Sequence, residues 1–381
     1  MLCLDVVQII CDFCDLRTQI KLIRLCKEYE ENLKIRKLTC TYTFNQKFTQ
    51  EILQQKKFDH LLYLNALNNE KIIDVNHLRD TLIELNCGGS NCGITQEGIN
   101  GLRKLQKLNV AYGNKITNVN HLKDTLIELN CNNCGITQEG INGLRKLQIL
   151  DAYNNDKITN VNHLKDTLME LNCGGSNCSI TQEGINELRK LQKLDAWGNN
   201  NKIRDVNHLG DTLIELNCGA SNCGITQEGI NGLRKLQKLY ASYNNKIRDV
   251  NHLRDTLIEL DCHELCGITQ EGINELRKLQ KLILWNNGEI TDVNHLKDTL
   301  IELDCAGSCI TQEGINRLRK LQKLNAWGNN KITDVNHLKD TLIELNCGAS
   351  NCGITQEGIN GLRKLQKIVA WNNNKITQSL T

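Results

Sequence analysis

The strongest constraint in this sequence is a string, HLKDTLIELNC, that recurs with small changes every 42 to 45 residues. Its copies begin at His77, His121, His163, His208, His252, His295 and His337. Each period also contains a second half with the same leucine spacing, as in LQKLNV from Leu105. We call the half with LIELNC coil A and the other half coil B. This organisation predicts a repeat array rather than two or three separate globular domains.

Each coil is predicted to contain one short strand. In the first LIELNC, Leu85 and Cys87 alternate with Glu84 and Asn86, so apolar side chains lie on one face and polar ones on the other. Thr95 then has the position of an N-cap for a short helical return. A coil of 21 to 23 residues cannot bury its own apolar face and must stack on its neighbours. We therefore predict an α/β repeat fold, a solenoid with a curved parallel β-sheet and short helices or turns on its convex side.

Both halves of the period resemble known repeats. Residues 126–136 read LIELNCNNCGI, which resembles the cysteine-containing leucine-rich repeat. Coil B, as in LQKLNAWGNNKITDVNHL from Leu321, is similar to the short internalin-like leucine-rich repeat. The resemblance covers residues 61–381 and implies a leucine-rich-repeat solenoid.

The array is predicted to begin before the clear repeats. Ile35, Leu38 and Cys40 have the spacing of a strand, and FTQEIL from Phe48 echoes the ITQEGI of the clear copies. Residues 35–60 are therefore predicted to form a degenerate first repeat, which brings the expected number of strands to sixteen.

Cysteine is unusually frequent, and its pattern favours free thiols. Fourteen of the nineteen cysteines recur as one pair per period. Equivalent cysteines of successive periods would lie two strands apart, roughly 9.5 Å at about 4.8 Å per strand, too far for a disulfide. Only Cys131 and Cys134 have CxxC spacing, whereas zinc ligands would keep a constant spacing. We expect reduced thiols that point into the core, with no metal or cofactor.

Composition and motifs disfavour several classes of function. Lys and Arg number 46 against 44 Asp and Glu, a net charge of +2, which disfavours nucleic acid and anionic membranes as partners. Asp5 and Asp12 interrupt the apolar start, so no signal peptide is recognised, and no apolar run is long enough to span a membrane. The chain is expected to be soluble and cytoplasmic. No phosphate-binding loop or nucleophile elbow lies outside the repeat register, so we predict a protein that is not an enzyme.

Two rows of side chains are predicted to lie on the surface of the array. The third strand position carries Glu in every coil A and mostly Lys in coil B, so adjacent strands would pair opposite charges. Aromatic residues recur at or just after the strand of coil B. They are Tyr153, Trp197, Tyr240, Trp285, Trp327 and Trp371, our candidate target-binding residues. Two interpretations stay open: each indole covers a glycine of the neighbouring coil A, or the row anchors a partner protein.

The N-terminal segment, residues 1–34, differs in composition and is predicted to be helical, with Leu4, Val7, Ile10 and Cys11 on one helical face. Three stretches of this segment resemble an F-box. They are Leu4-Asp5-Val6-Val7, Asp12-Phe13-Cys14-Asp15-Leu16 and Leu25-Cys26-Lys27-Glu28-Tyr29. The order of F-box and nearly identical cysteine-containing repeats is similar to F-box and leucine-rich-repeat proteins of giant DNA viruses, which implies action in the host cytoplasm.

The F-box resemblance implies a function. An F-box docks on a Skp-type adaptor of a cullin-based ubiquitin ligase, while the solenoid captures the protein to be modified. The candidate adaptor contacts are Leu4, Val7, Ile10, Ile20, Leu25 and Cys26. The alternative is a free-standing interaction scaffold or decoy whose N-terminal helices only cap the solenoid.

Overall fold

The structure, a computed structural model, describes residues 3–38 and 47–377 of the chain. The chain is divided into two compact units, Met1–Lys190 and Leu191–Thr381. Each unit contains short parallel strands in chain order, separated by turns and short helices. This arrangement confirms the predicted leucine-rich-repeat fold. The position of Cys40, which the sequence places in the first strand, lies outside the described residues.

The first unit contains seven strands among its described residues. They are β1 (Lys37–Leu38), β2 (Tyr63–Asn65), β3 (Glu84–Asn86), β4 (Lys107–Asn109), β5 (Glu128–Asn130), β6 (Ile149–Asp151) and β7 (Glu170–Asn172). Consecutive strands pair in parallel without any shift of register, as where Glu84 lies opposite Lys107 and Leu85 opposite Leu108. Equivalent residues of successive coils are therefore nearest neighbours.

The described part of the second unit, through residue 377, contains nine strands, which together with the first seven make the sixteen expected. They are β8 (Lys193–Asp195), β9 (Glu215–Asn217), β10 (Lys238–Tyr240), β11 (Glu259–Asp261), β12 (Lys281–Ile283), β13 (Glu302–Asp304), β14 (Lys323–Asn325), β15 (Glu344–Asn346) and β16 (Lys367–Val369). Parallel pairing again keeps the same register, with Lys238 beside both Glu215 and Glu259.

Short helical turns connect the strands. The α-helices between strands are α4 (Gln50–Leu53) and α5 (Gln138–Ile141). The 3₁₀ helices are Lys56–Phe58, Asn76–Leu78, Asn120–Leu122, Asn162–Leu164, Asn207–Leu209, Asn251–Leu253, Glu271–Ile273, Asn294–Leu296, Glu313–Ile315, Asn336–Leu338 and Glu357–Ile359. The short helix predicted after Thr95 is a turn instead, although Thr95 Oγ1 still accepts a hydrogen bond from Gly98 N at 3.1 Å. The same glycine follows Thr137, where α5 is only four residues long, because glycine disfavours helix and limits this return to about one turn.

Three helices precede β1. They are α1 (Leu4–Phe13), α2 (Leu16–Ile23) and α3 (Lys27–Asn32). Asp15 caps α2, because its carboxylate accepts a hydrogen bond from Thr18 N at 2.7 Å. This hydrogen bond lowers the pKa of the Asp15 carboxyl, so the cap is ionised at neutral pH.

Polar residues that recur in every period lock neighbouring coils together. Gln96 of coil A accepts hydrogen bonds from the N–H groups of Thr117 and Asn118 in the next coil B, at 3.0 and 2.9 Å. Asn76 donates to Glu97 O at 2.8 Å and accepts from Gly101 N at 2.6 Å. These contacts explain why TQEG and VNHL recur almost unchanged: their side chains satisfy backbone groups of the adjacent coil.

Buried asparagines in coil B continue this pattern inside the core. The Asn244 amide donates to Cys218 O at 2.9 Å and to Ile225 O at 3.2 Å, and its oxygen accepts from Lys246 N at 2.9 Å. Only 1% of Asn244 is exposed. Buried backbone groups need such partners, because an unpaired buried carbonyl costs about 1–3 kcal/mol.

Replacing Asn244 by Ala should destabilise the protein by about 1–3 kcal/mol, since the backbone groups that it bonds would lose their partner without gaining water. Urea denaturation followed by circular dichroism measures the change. Asn245→Ala is the matched control: Asn245 is exposed, and its loss should change stability by less than about 0.5 kcal/mol. Equal effects of the two substitutions would contradict the structural role of the buried amide.

The histidines of the recurring HL step should make the protein less stable in acid. Desolvation lowers the pKa of five of these histidines: His121, His163, His252, His295 and His337. Each ring is hydrogen-bonded to a backbone carbonyl; His252 Nε2, for example, lies 3.0 Å from Ile230 O. Because their folded pKa lies below the unfolded value near 6.5, the unfolded chain binds more protons as pH falls. The urea midpoint should therefore drop between about pH 7.5 and 5.5. His121→Gln with His252→Gln should flatten that slope, and an unchanged slope would argue against it.

Candidate functional site

Of the candidate target-binding residues, Tyr153 lies in the first unit and the others in the second. We call the five of the second unit the aromatic row: Trp197, Tyr240, Trp285, Trp327 and Trp371. Trp197, Trp285 and Trp327 are 43, 40 and 42% exposed, and Trp371 after the last strand is 71% exposed. Tyr153 and Tyr240 are half-buried. Trp197, Trp285 and Trp327 are thus partly covered by the protein and partly open to solvent, whereas Trp371 is mostly exposed.

The packing of the indoles agrees with the glycine interpretation. A methyl group built on Gly348 would lie 2.9 Å from Cδ1 of Trp327, and one on Gly219 would lie 3.0 Å from Cδ1 of Trp197. Both glycines belong to the next coil A, so a larger residue there would displace the indole. The rings are therefore fixed by packing while about two fifths of each remains exposed. A rigid, half-exposed aromatic side chain suits an interface because it loses little entropy on binding.

One coil of the second unit extends this row with aromatic residues that sequence reasoning missed. His263 stands where five other coils A have glycine or alanine and one has Asn132. The centroid of its ring lies 5.9 Å from those of both Tyr243 and Trp285. Tyr243 is 39% and Leu265 77% exposed. His263 Nδ1 is hydrogen-bonded to Asp261. The sequence feature that could have indicated this cluster is His263 itself, which replaces the glycine found in most coils A.

The charge ladder, defined as the Glu and Lys residues at the third strand position, forms as predicted. Lys281 Nζ lies 3.0 Å from a Glu259 carboxylate oxygen and 3.9 Å from one of Glu302. Lys323 and Glu344 also lie 3.0 Å apart. A hydrogen bond to Glu259 raises the pKa of Lys281, so this ammonium stays charged. The ladder therefore neutralises the charge of its own face.

The paired cysteines of coil A are buried in the core, as predicted, except Cys309, which is partly exposed. Cys131, Cys218 and Cys305 are fully buried, and every cysteine among the described residues is free. Burial raises the pKa of the Cys223 thiol to about 11, and that of Cys347 to about 12. At neutral pH these thiols are protonated and unreactive. Among the described residues, no group of three or more His, Cys, Asp or Glu could hold a metal ion.

The candidate adaptor contacts are not all on one surface. Val7 is only 3% exposed, and Leu4 and Ile20 are half-buried. By contrast, Ile10 is 44% exposed and Leu25 is 68% exposed. Cys26, which precedes α3, is exposed as well. The predicted helical face of α1 is thus divided: Val7 and Cys11 are buried, whereas Ile10 is exposed to solvent.

The exposed face of α1 contains further apolar residues that were not among the predicted adaptor contacts. Val6, Ile9 and Phe13 are 43, 56 and 84% exposed. With Ile10 they lie at positions i, i+3, i+4 and i+7, which is one stripe of a helix. We call these four residues the α1 stripe. None of the described helices is long and apolar enough to cross a membrane.

Comparisons with solved structures give the class of protein. An internalin, inlF, from Listeria monocytogenes is 23% identical with a TM-score of 0.54, covering 75% of this chain and 85% of that chain. A leucine-rich-repeat protein of Leptospira interrogans is 21% identical (TM-score 0.50; 84% and 98% covered). The functional domain of InlJ from Listeria monocytogenes, described as including a cysteine ladder, is 22% identical (TM-score 0.51; 80% and 73% covered).

The fold is therefore that of leucine-rich-repeat proteins. No protein-family model and no curated protein matches the chain. Identities of 21 to 23% establish the fold alone, so function has to be argued from the surfaces of this chain.

The charge ladder should contribute modestly and in a salt-dependent way. In a double-mutant cycle of Lys281→Met and Glu259→Gln, we expect a coupling energy of about 0.2–1 kcal/mol at low salt, because the pair is only partly screened. The coupling should fall as ionic strength rises. Urea denaturation of the four proteins measures it. A coupling that is zero at low salt, or that stays constant in 1 M salt, would show that the pair is not an electrostatic contact in solution.

Proposed function

We propose that this chain is a protein-binding module that serves as a substrate-recognition subunit of a cullin and Skp-type ubiquitin ligase. The N-terminal helices bind the adaptor, the repeats bind the protein to be modified, and the chain itself catalyses nothing. The observation that carries the proposal is the α1 stripe, an apolar helical face left open on a segment whose sequence resembles an F-box.

The α1 stripe has the form of a helix that docks into a partner. Its four side chains span two turns, and Phe13, the most exposed, projects from the end of α1. Lys37 Nζ lies 5.7 Å from the centre of the Phe13 ring. Amphipathic helices bind apolar grooves through side chains at this spacing. The candidate contacts that are exposed to such a partner are Ile10, Leu25 and Cys26. Val7, on the opposite face of α1, is buried and packs the helix against the rest of the protein.

The repeats provide the second surface of the proposal. Exposed indoles that pack against a neighbouring glycine, such as Trp197 and Trp327, have the properties of interface hot spots. The neighbouring charge ladder pairs with itself, so it selects against highly charged partners. We therefore propose that the target is a protein bound through the aromatic row. The similarity to F-box and repeat proteins of giant DNA viruses supports a site of action in the host cytoplasm.

The alternative, a scaffold whose helices only cap the array, is favoured by a specific set of contacts. Gln8 is buried and bonds both the N–H and the carbonyl of Lys34, at 2.8 and 2.9 Å. Gln19 donates to Lys37 O at 3.2 Å, on the first strand. These contacts cover the open edge of the sheet, which a solenoid needs for solubility. Capping and adaptor binding use opposite faces of α1 and are compatible.

Binding of a purified Skp-type adaptor to the full-length chain separates these functions. We expect Ile9→Asp with Phe13→Asp to weaken binding at least tenfold, because buried anchors typically contribute 2 kcal/mol or more. Both residues are exposed, so the fold should be unaffected, and circular dichroism checks this. Ile73→Asp, an exposed isoleucine of the repeats, is the matched control. Absence of binding by the unaltered chain, or equal loss in the control, would remove the ligase proposal and leave the scaffold.

A further inference from the structure

Four successive strands of the first unit end in asparagine. They are β2 to β5, and their last residues are Asn65, Asn86, Asn109 and Asn130. The register places each of these residues beside the next, as where Asn109 lies opposite both Asn86 and Asn130. Neighbouring strands are about 4.8 Å apart, so four amides stand in a line at that spacing. We call these four residues the amide row; β6 ends it with Asp151.

Each amide of the row uses its oxygen and leaves its nitrogen available to donate. Asn109 Oδ1 accepts a hydrogen bond from Ala111 N at 2.9 Å, and Asn130 Oδ1 accepts one from Asn132 N at 3.1 Å. The other two asparagines make the same contact with the residue two positions on, at 3.1 and 3.2 Å. Among the residues that the structure describes, none of the four amide nitrogens has a hydrogen-bond partner. The residues are half-buried, and these nitrogens remain accessible to a ligand.

Two amides of the row, those of Asn109 and Asn130, line an open groove of about 610 Å³. That volume is within the usual range of small-molecule sites. Every side chain that lines the groove, among the described residues, is uncharged. Lys107 and Glu128 lie two positions earlier on the same strands, and they pair with each other at 3.0 Å. The groove therefore has no net charge with which to hold an ion.

The polar groups of the groove match those of a hydroxylated ligand. The amide row offers donors, and Asn132 has a buried amide oxygen that accepts no hydrogen bond among the described residues. A hydroxyl both donates and accepts, whereas a carboxylate only accepts and an ammonium only donates. An ion would also lose hydration in a groove that has no opposite charge. The chemistry favours a neutral ligand with many hydroxyl groups.

Two further features favour a saccharide over a peptide. Tyr112 lines the groove and is 57% exposed, which provides an aromatic face for the C–H face of a sugar ring. Carbonyl groups on one side of an extended peptide recur roughly every 6.7 Å, out of step with amides about 4.8 Å apart. We propose that Asn109, Asn130 and Tyr112 bind an uncharged oligosaccharide, either free or attached to a protein. This site belongs to the first unit, whereas the aromatic row assigned to a protein target belongs to the second.

Isothermal titration calorimetry of the full-length chain with three neutral tetrasaccharides tests the proposal. The probes are cellotetraose, mannotetraose and chitotetraose, and at least one should bind the unaltered chain. Asn109→Val with Asn130→Val should weaken that binding about fivefold or more, because neutral hydrogen bonds from two amides are lost. Tyr112→Asn should weaken it about threefold or more, because the contact with the ring is lost.

These substitutions should leave the fold intact. Ile283 and Val369 already end strands at the position that the amide row has in β2 to β5. Asn154 follows its strand as Tyr112 does, and the two residues have φ angles of 52° and 61°. The new side chains therefore suit the backbone, and circular dichroism checks this for each variant.

Asn325→Val with Asn346→Val is the matched control, because it makes the same changes on two adjacent strands of the second unit. It should bind the tetrasaccharide as the unaltered chain does. Failure of all three probes to bind at millimolar concentration, or equal affinity in Asn109→Val with Asn130→Val, would overturn the site. A blocked, neutral tetrapeptide that binds as tightly as the best tetrasaccharide would overturn the class of ligand.

A glycoprotein that carries neutral, mannose-rich glycans, and the same glycan released from it, distinguish the two sources of saccharide. Tighter binding of the glycoprotein would assign the site to protein-attached glycans, and equal binding would assign it to the saccharide alone. Binding that persists after the glycans are removed from the protein would contradict recognition of a saccharide.

Discussion

No coil of this chain can bury its apolar residues alone, and every other feature follows from that constraint. Leu85 and its equivalents are shielded only by the coils on either side, so the strands must pair in parallel and in register. The same stacking leaves backbone groups at each turn without water. Side chains that repeat almost unchanged, such as Gln96, Asn76 and Asn244, supply the missing hydrogen bonds. Most of the sequence is therefore fixed by the need to join one coil to the next.

Residues that depart from the repeat are where function is to be sought. His263 replaces a glycine and joins two aromatic rings, and the α1 stripe lies outside the array altogether. The repeated surface itself, with its paired charges, offers little that distinguishes one protein partner from another.

The repeat array could be predicted from the sequence because each strand shows a strict alternation of apolar and polar residues. That alternation placed Leu85 inside and Glu84 outside, and the structure agrees. The N-terminal helices were harder to interpret. Helix α1 is apolar on both sides, so the sequence could not say whether Val7 or Ile9 faces the repeats. The hydrogen bonds between Gln8 and Lys34 determine which face of α1 is buried. Because these two residues are 26 positions apart, no periodic pattern in the sequence indicates the contact. The amide row could have been found by aligning the strands, since its four asparagines share one position.

Each coil is held in place by hydrogen bonds and packing from its neighbours. Hydrogen exchange of the native chain, resolved by peptide mass spectrometry, tests it most directly. Strand amides of inner coils, such as Lys238–Tyr240 and Glu259–Asp261, should exchange far more slowly than the exposed turn at Asn245. Protection should fall toward β16, which has a partner strand on one side only among the described residues. Uniformly fast exchange through the strands would contradict the stacked arrangement.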